Sequence, residues 1–546
     1  MIYEKNKNLE NKSFNLFDDS LSNYREAVKL NKNSLYFYWD NGIQISYLSK
    51  YNETFNIYMK TVELYQNDFT AWADRGNTLR EFGKYEESIV ACDKSIELNP
   101  KCSYAWFNKG FALKQLNRYE EAIKSYDKVI QINPQDLAAL SNKGNCLYDL
   151  CEYNEAIKTF EMALELDSNY PYALVSKGNC LKILNKDSEA SKLYNKAIKE
   201  YDKYVQIDPL NLYAWNGRGN CLKALNRYDE AIESYDKAIE INPNNLDPWN
   251  NKGICLTMLG RYKEAINVYE KVIELNNKNP YAWYNKGYVL QQLNRYDEAI
   301  EAYDNAIQIN PQDYDSWNKR GFCLACLDKY DEAIKMYDKS IEIYPTSSYV
   351  WFNKGFALQQ LNRHDEAINA YNKVIQINPQ DISALNNKGT CLYNLREYSE
   401  AIKLYEKALE LDSDYPYAWY NKGNILKQLN RYDQAIEAYD KTIKINPKYF
   451  YAWNNKGFCL ACLGEHDEAI KMYDKAIELN PKHSDAWCNK GRALQQLNRY
   501  DEAIEAYDNA IQINSKCLTA WNNKGLILKK LKNLMKQICV LVNITN

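Results

Sequence analysis

Histidine is scarce in this chain: three in 546 residues, His364, His466 and His483, all at turn or exposed positions and none recurring with a partner. Imidazole is the usual acid–base group and metal ligand near neutral pH, so little remains for that chemistry. No glycine-rich phosphate loop, nucleophile elbow or zinc-protease motif occurs either. These absences argue against an enzyme, and no cofactor or metal is expected. Excess charge of one sign is also missing, with 69 basic and 72 acidic residues giving a net −3. A phosphate-backbone binder needs a net basic surface or stripe, so no nucleic acid partner is expected. Long apolar runs are lacking, the longest near the end being Ile538–Val542, far short of the roughly 20 residues that span a bilayer. The opening Met1–Lys7 is polar and leads into no secretory core. The chain therefore reads as cytoplasmic, with no membrane partner. Glycine and proline number only 19 and 13, and no stretch is rich enough in them to be a flexible linker.

What is present is a repeat. Trp106-Phe107-Asn108-Lys109-Gly110 recurs at Trp283–Gly287, Trp351–Gly355 and Trp419–Gly423. With each unit begun three residues before its tryptophan, complete units start at 35, 69, 103, 137, 171, 212, 246, 280, 314, 348, 382, 416, 450 and 484. Eleven of the 12 tryptophans then fall at position 4, counting a partial unit at 518, and 15 of the 19 glycines at position 8. Twelve of these fourteen units carry alanine at position 20, and nine carry proline at position 32. Chance does not phase-lock the punctuating residues in this way.

Each unit predicts two helices. Positions 4, 7, 8 and 11 make one small or apolar face at helical spacing, and positions 17, 20, 21, 24, 27 and 28 a second. Residues such as Leu116-Asn117-Arg118 form the turn between them, and Asn-Pro-x-Asp or Asn-Pro-x-Asn ends the unit and starts the next. Glycine at 8 and alanine at 20 are small because the two helices approach closely there. Acid pairs such as Asp297-Glu298 open the second helix, where they suit its dipole.

Three stretches depart from the pattern. Residues 1–34 fit only the second half of a unit, with Tyr24 and Ala27 in place, and suit an N-terminal cap. The fourteen units span 35–517, and the one at 171–211 carries seven extra residues. Seven residues are about two helical turns, so its second helix is expected to be longer and unbroken. Residues 518–546 are a partial repeat with an apolar tail; the pattern stops at Leu534-Met535-Lys536-Gln537, where a shifted reading frame can restore Asn-Glu-Ala. Residues 103–190 closely match 348–435, so the array has grown by copying blocks of units.

The pattern W-x-x-x-G-x-x-L…A-x-x-x-Y…P at a period of 34 resembles the tetratricopeptide repeat over residues 35 to about 530. That resemblance implies an all-α solenoid, a right-handed superhelix of stacked helix-turn-helix units, whose first helices line a concave groove. On that groove it implies a column of asparagines at position 6: Asn108, Asn142, Asn251, Asn285, Asn353, Asn387, Asn421, Asn455 and Asn489. An amide donates and accepts at once, as the backbone of an extended peptide does. The column is similar to the asparagine ladder of O-linked N-acetylglucosamine transferase, whose catalytic domain has no counterpart here. It is interrupted at Ser176, Gly217 and Lys319, and Asp40 and Asp74 stand in for asparagine. Aromatics at positions 5 and 9 flank it: Phe107, Phe111, Tyr284, Tyr288, Phe352, Phe356 and Tyr420. The family's carboxylate clamp for Hsp70 and Hsp90 C-termini is not expected, since no unit has lysine at position 5 or arginine at position 6.

Fifteen cysteines complete the picture, seven of them at position 10, where alanine is the alternative. They read as small core residues. The two CxxC pairs, Cys323/Cys326 and Cys459/Cys462, lie four units apart on separate helices and cannot share a zinc. The function expected is a non-catalytic protein-interaction scaffold that binds extended peptides in its groove. The alternative is a substrate-targeting arm for a separately encoded enzyme such as a glycosyltransferase.

Overall fold

The computed structural model describes residues 66–545, with side chains as far as residue 533. The half-repeat at 1–34 and nearly all of the unit at 35–68, Asp40 included, lie outside the described residues. Among those described there are 27 helices and no strand. They form two compact units, one ending at Asn294 and one beginning at Arg295.

The repeat beginning at 348 shows how the pattern folds. Its helix A is Ser348–Gln360 and its helix B is His364–Ile377, followed by the next helix A, Ile382–Asn394. Val350, Ala357 and Leu358 of the first helix meet Ala367, Ala370, Tyr371 and Val374 of the second, and Ala384 and Cys391 of the third close the cluster. Neither face could be buried by one helix alone, so the core runs from repeat to repeat. Burying one such large side chain stabilises by roughly 1.5–3 kcal/mol. The position-24 tyrosines, among them Tyr371, Tyr405, Tyr439 and Tyr473, are the largest side chains buried there.

Glycine at position 8 is needed by that tyrosine. A Cβ placed on Gly110, Gly423 or Gly491 would stand 3.0, 2.8 and 2.7 Å from Cε1 of Tyr126, Tyr439 and Tyr507. The close approach expected from the sequence is therefore a ring lying on a glycine.

The turn has one fixed requirement. Position 15 takes a positive φ, as at Asn117 (59°), Asn226 (60°), Asn362 (57°) and Asn430 (58°). Asparagine tolerates this region and glycine prefers it, and glycine serves at Gly83, Gly260 and Gly464. Where the preceding unit ends in aspartate or asparagine, that residue caps helix A: Asp136 Oδ1 accepts from the Ala139 N–H at 2.9 Å and Asp381 Oδ1 from Ala384 at 2.9 Å.

Tryptophan and lysine of the Trp-x-Asn-Lys-Gly segment tie each repeat to the one before. The Trp351 indole N–H donates to the Pro345 carbonyl at 2.9 Å, and Trp106, Trp215 and Trp249 reach Pro100, Pro209 and Pro243 at 3.0 Å. Lys354 lies 5.4 Å over the Trp351 ring and pairs with Asp338, sixteen residues back, at 2.5 Å. The same pairing recurs at Lys109–Asp93, Lys252–Asp236, Lys422–Glu406 and Lys456–Asp440, and arginine makes it at Arg218–Asp202.

The seven extra residues lie in one unbroken helix B, Asp187–Ile207, of 21 residues where other helices B have 14. Its buried stripe gains Tyr201. That ring explains one gap in the asparagine column: a Cβ on Gly217 would lie 2.5 Å from Tyr201 Cζ, so position 6 of the next repeat has to be glycine. At the other end, the partial repeat is a single helix, Leu518–Thr545, with no turn where its helix B would begin.

Candidate functional site

Positions 2, 5, 6, 9, 12 and 13 share one face of helix A. On it, Asn142, Asn251, Asn285, Asn353, Asn387, Asn421, Asn455 and Asn489 are half-buried. Asn108 is the exception and a correction: it is 0% exposed, covered by Arg80 of the preceding repeat, whose guanidinium donates to its Oδ1 at 2.9 Å. No ligand backbone can reach it there.

In the second unit the column is bonded from repeat to repeat. Asn353 Nδ2 donates to Asn318 Oδ1 at 3.1 Å, Asn421 to Asn386 Oδ1 at 2.9 Å, and Asn489 to Asn454 Oδ1 at 3.1 Å. Each acceptor is the position-5 residue of the preceding repeat. Asn455 donates to the Tyr420 hydroxyl at 3.2 Å and to Asn424 Oδ1 at 3.0 Å, and its own Oδ1 accepts from Asn454 Nδ2 at 3.3 Å. Asn387 Oδ1 accepts from Asn386 at 3.3 Å. In the first unit the pattern differs: Asn142 donates to the Ala138 carbonyl of its own helix at 2.9 Å, and Asn251 accepts from Lys223 Nζ at 2.6 Å.

The aromatics divide between packing and exposure. Phe107, Phe352 and Tyr420 at position 5 are half-buried, their ring centroids 5.7, 5.8 and 5.9 Å from those of Tyr126, Tyr371 and Tyr439. They complete the repeat core and show one edge outward. Phe111 lies under Arg80, 4.9 Å from its guanidinium. Tyr284 and Tyr288 are half-buried, and Phe356 is exposed. In three repeats a position-9 asparagine serves the core, Asn179, Asn220 and Asn424 each accepting from a position-24 hydroxyl at 2.8 Å.

Position 12 carries no mark in the repeat pattern, because it varies from arginine to lysine, glutamine and alanine. In the structure its cations lean onto the next repeat. Burial lowers the Arg80 guanidinium to about 10 and lowers Lys223 and Lys427, which lies 5.6 Å over the Phe458 ring. The available signal was the separation of 28 residues from position 12 to the next position 6, seen in Arg80/Asn108 and Lys223/Asn251.

Position-10 cysteines, from Cys146 to Cys459, are buried and unbridged, and burial pushes Cys146, Cys221, Cys323, Cys391 and Cys459 up to about 12. In each CxxC one thiol is buried and the other exposed, Cys323 with Cys326 and Cys459 with Cys462. His364, His466 and His483 are half-buried, the first two at the opening of helix B where other repeats place tyrosine, a correction to their expected exposure. A separate open cavity of about 350 Å³ lies where the long helix meets the next repeat, lined by Asp202, Trp215, Arg218, Glu233, Ser234 and Lys237. No described helix is long and apolar enough to cross a membrane.

Comparison with known proteins fits this arrangement. A tetratricopeptide repeat model matches residues 103–136, 138–170, 212–245, 280–313, 314–347, 348–381, 382–415, 416–449, 450–483 and 484–517. Two further models of the repeat match 256–294 and 234–267, and one described as a protein prenyltransferase alpha subunit repeat matches 85–116. No curated protein matches the chain. Among solved structures, the APC/C hetero-tetramer Cut9-Hcn1 is similar with a TM-score of 0.46 at 17% identity, over 88% of this chain and 94% of that one. YrrB, titled a TPR protein with an unusual peptide-binding site, is similar with a TM-score of 0.32 at 24% identity, over 35% of this chain and 98% of that one. With one repeat model matched across more than half of its length, in the register set by its own tryptophans and glycines, the chain belongs to the tetratricopeptide repeat family.

Proposed function

We propose that the chain is a non-catalytic interaction scaffold that holds extended peptide segments along the helix-A face of residues 314–517. The observation that carries this reading is the bonding of Asn353, Asn421 and Asn489. One N–H of each amide is donated to the preceding repeat, at 2.9–3.1 Å, which fixes the plane of the amide. Its carbonyl oxygen makes no bond among the described residues. A row of oriented amides that still accept is suited to the N–H groups of a passing backbone, and orientation fixed in advance lowers the ordering cost of binding. The resemblance to the asparagine ladder of O-linked N-acetylglucosamine transferase points the same way. Phe356 and the outward edges of Phe352 and Tyr420 would favour apolar side chains in the bound segment.

The test is selection of binding peptides from a random library by the full chain. The best binder is then titrated against a variant with Asn353→Ala, Asn421→Ala and Asn489→Ala, its helicity checked by circular dichroism. Weaker binding by the folded variant, and by peptides N-methylated along their backbone, is the expected result. Equal affinity for both proteins would remove the asparagines from the site.

A further inference from the structure

The final helix, Leu518–Thr545, is a helix A without a helix B. One side of it is docked: Ala520 and Ile527 are buried against the preceding repeat. The other side is open. A Cβ on Gly457 would meet the Tyr473 ring at 2.8 Å and one on Gly491 the Tyr507 ring at 2.7 Å, but one on Gly525 would meet nothing within 4 Å. Leu528, at position 11, is 49% exposed where Leu494 is 1%. This is the surface that helix B covers in each repeat before it, and no described element lies against it.

The same sequence holds a helix-B pattern with no helix-A pattern before it. Phe17, Ser20, Leu21, Tyr24, Ala27, Val28, Leu30 and Asn31 stand in the register of Tyr500, Ala503, Ile504, Tyr507, Ala510, Ile511, Ile513 and Asn514. Residues 1–16 contain no tryptophan and no glycine. Charge is complementary as well: Lys529 and Lys532 stand near the place of the missing turn, while Lys530 is bonded to the Tyr500 hydroxyl, and Asp18 and Asp19 open the helix-B pattern.

We propose that the chain associates head to tail with a second copy of itself. Residues 17–31 of one copy dock on the helix at 518–531 of the other, with Tyr24 seated on Gly525, and the two halves make one composite repeat. Such a contact uses two different surfaces, so it propagates into open filaments or closes into rings.

Sedimentation velocity of the full chain over a range of concentrations tests this. Association that grows with concentration and passes beyond the dimer is expected. Tyr24→Arg and Gly525→Arg should each raise the concentration of half-association by about tenfold or more. Gly525 faces solvent, so its substitution leaves the monomer folded, which circular dichroism checks for both variants. An equimolar mixture of the two variants restores one intact junction and should stop at a one-to-one complex. A full chain that stays monomeric throughout would overturn the proposal, as would variants that associate like the wild type or a mixture that forms no complex.

Discussion

The ring of Tyr371 lies against Gly355 so closely that a Cβ on the glycine would stand 2.8 Å from Tyr371 Cε1. Tyr371 is itself 0% exposed and hydrogen-bonded to Gln359 at 3.0 Å, so it has no free direction in which to yield. Gly355→Ala should therefore lose about 1–3 kcal/mol to overpacking, more than the roughly 1 kcal/mol that alanine gains in helix propensity. Gly525→Ala, with nothing to strike, should gain about 0.5–1 kcal/mol. Repeat arrays do not unfold in one step, so the measurement is amide hydrogen exchange, read locally in Ser348–Gln360 and in the helix from Leu518. Equal effects at the two glycines would contradict the ring contact.

The tyrosine core makes the array sensitive to alkali. Burial pushes Tyr269 up to about 12, and raises Tyr235, Tyr337, Tyr371, Tyr405, Tyr439 and Tyr473 further. The unfolded chain ionises its tyrosines near pH 10. A phenol whose folded value is raised contributes stability that is complete below the unfolded value and is lost as pH climbs through the folded one. Helicity should thus hold to about pH 10 and fall steeply above it, with the core tyrosines ionising as the helices melt. Simultaneous tyrosinate absorbance and circular dichroism check this. Complete ionisation with helicity intact would show that the rings are not sealed. The repeat from 137 to 170, which has Phe160 in the tyrosine's place, should outlast its neighbours.

The helix pairs, their turns and their period were legible because the residues that set them act locally. Asn362 marks its turn by tolerating a positive φ, and Asp381 marks the next helix by capping it. What was not legible lies between repeats. Position 7 reads as part of a small or apolar face, and the structure corrects this: the residue there is a lysine or arginine in the described repeats, and Lys354 lies on Trp351 and beside Asp338 of the preceding repeat. Gly217 reads as a defect in the asparagine column until Tyr201, from the inserted turns, is seen to lie on it. The asparagines themselves read as a free groove surface, whereas Asn108 is buried under Arg80 and Asn353 is bonded to Asn318. One repeat's consensus holds no information on contacts 16 or 35 residues distant, although the recurrence of an acid at position 25 was a usable signal.

That bonding bears on how the asparagine column should be tested. Asn318 is 1% exposed, and its Oδ1 accepts from Asn353. Asn353→Ala leaves that buried carbonyl without its donor, at a cost of about 1–3 kcal/mol. Asn142 bonds only the Ala138 carbonyl of its own helix, which already serves the helix ladder, so Asn142→Ala should change stability by no more than about 0.5 kcal/mol. A double-mutant cycle over Asn318→Ala and Asn353→Ala, read by local hydrogen exchange, should give a coupling of about 1 kcal/mol. Coupling near zero would mean that the amides are joined only by proximity, and that any loss of peptide binding at Asn353 reports contact with the ligand alone. Coupling of the expected size means that part of such a loss comes from a loosened junction between repeats. Peptide affinity should then fall on Asn353→Ala by more than it does on Asn318→Ala, because only Asn353 offers its carbonyl to the ligand.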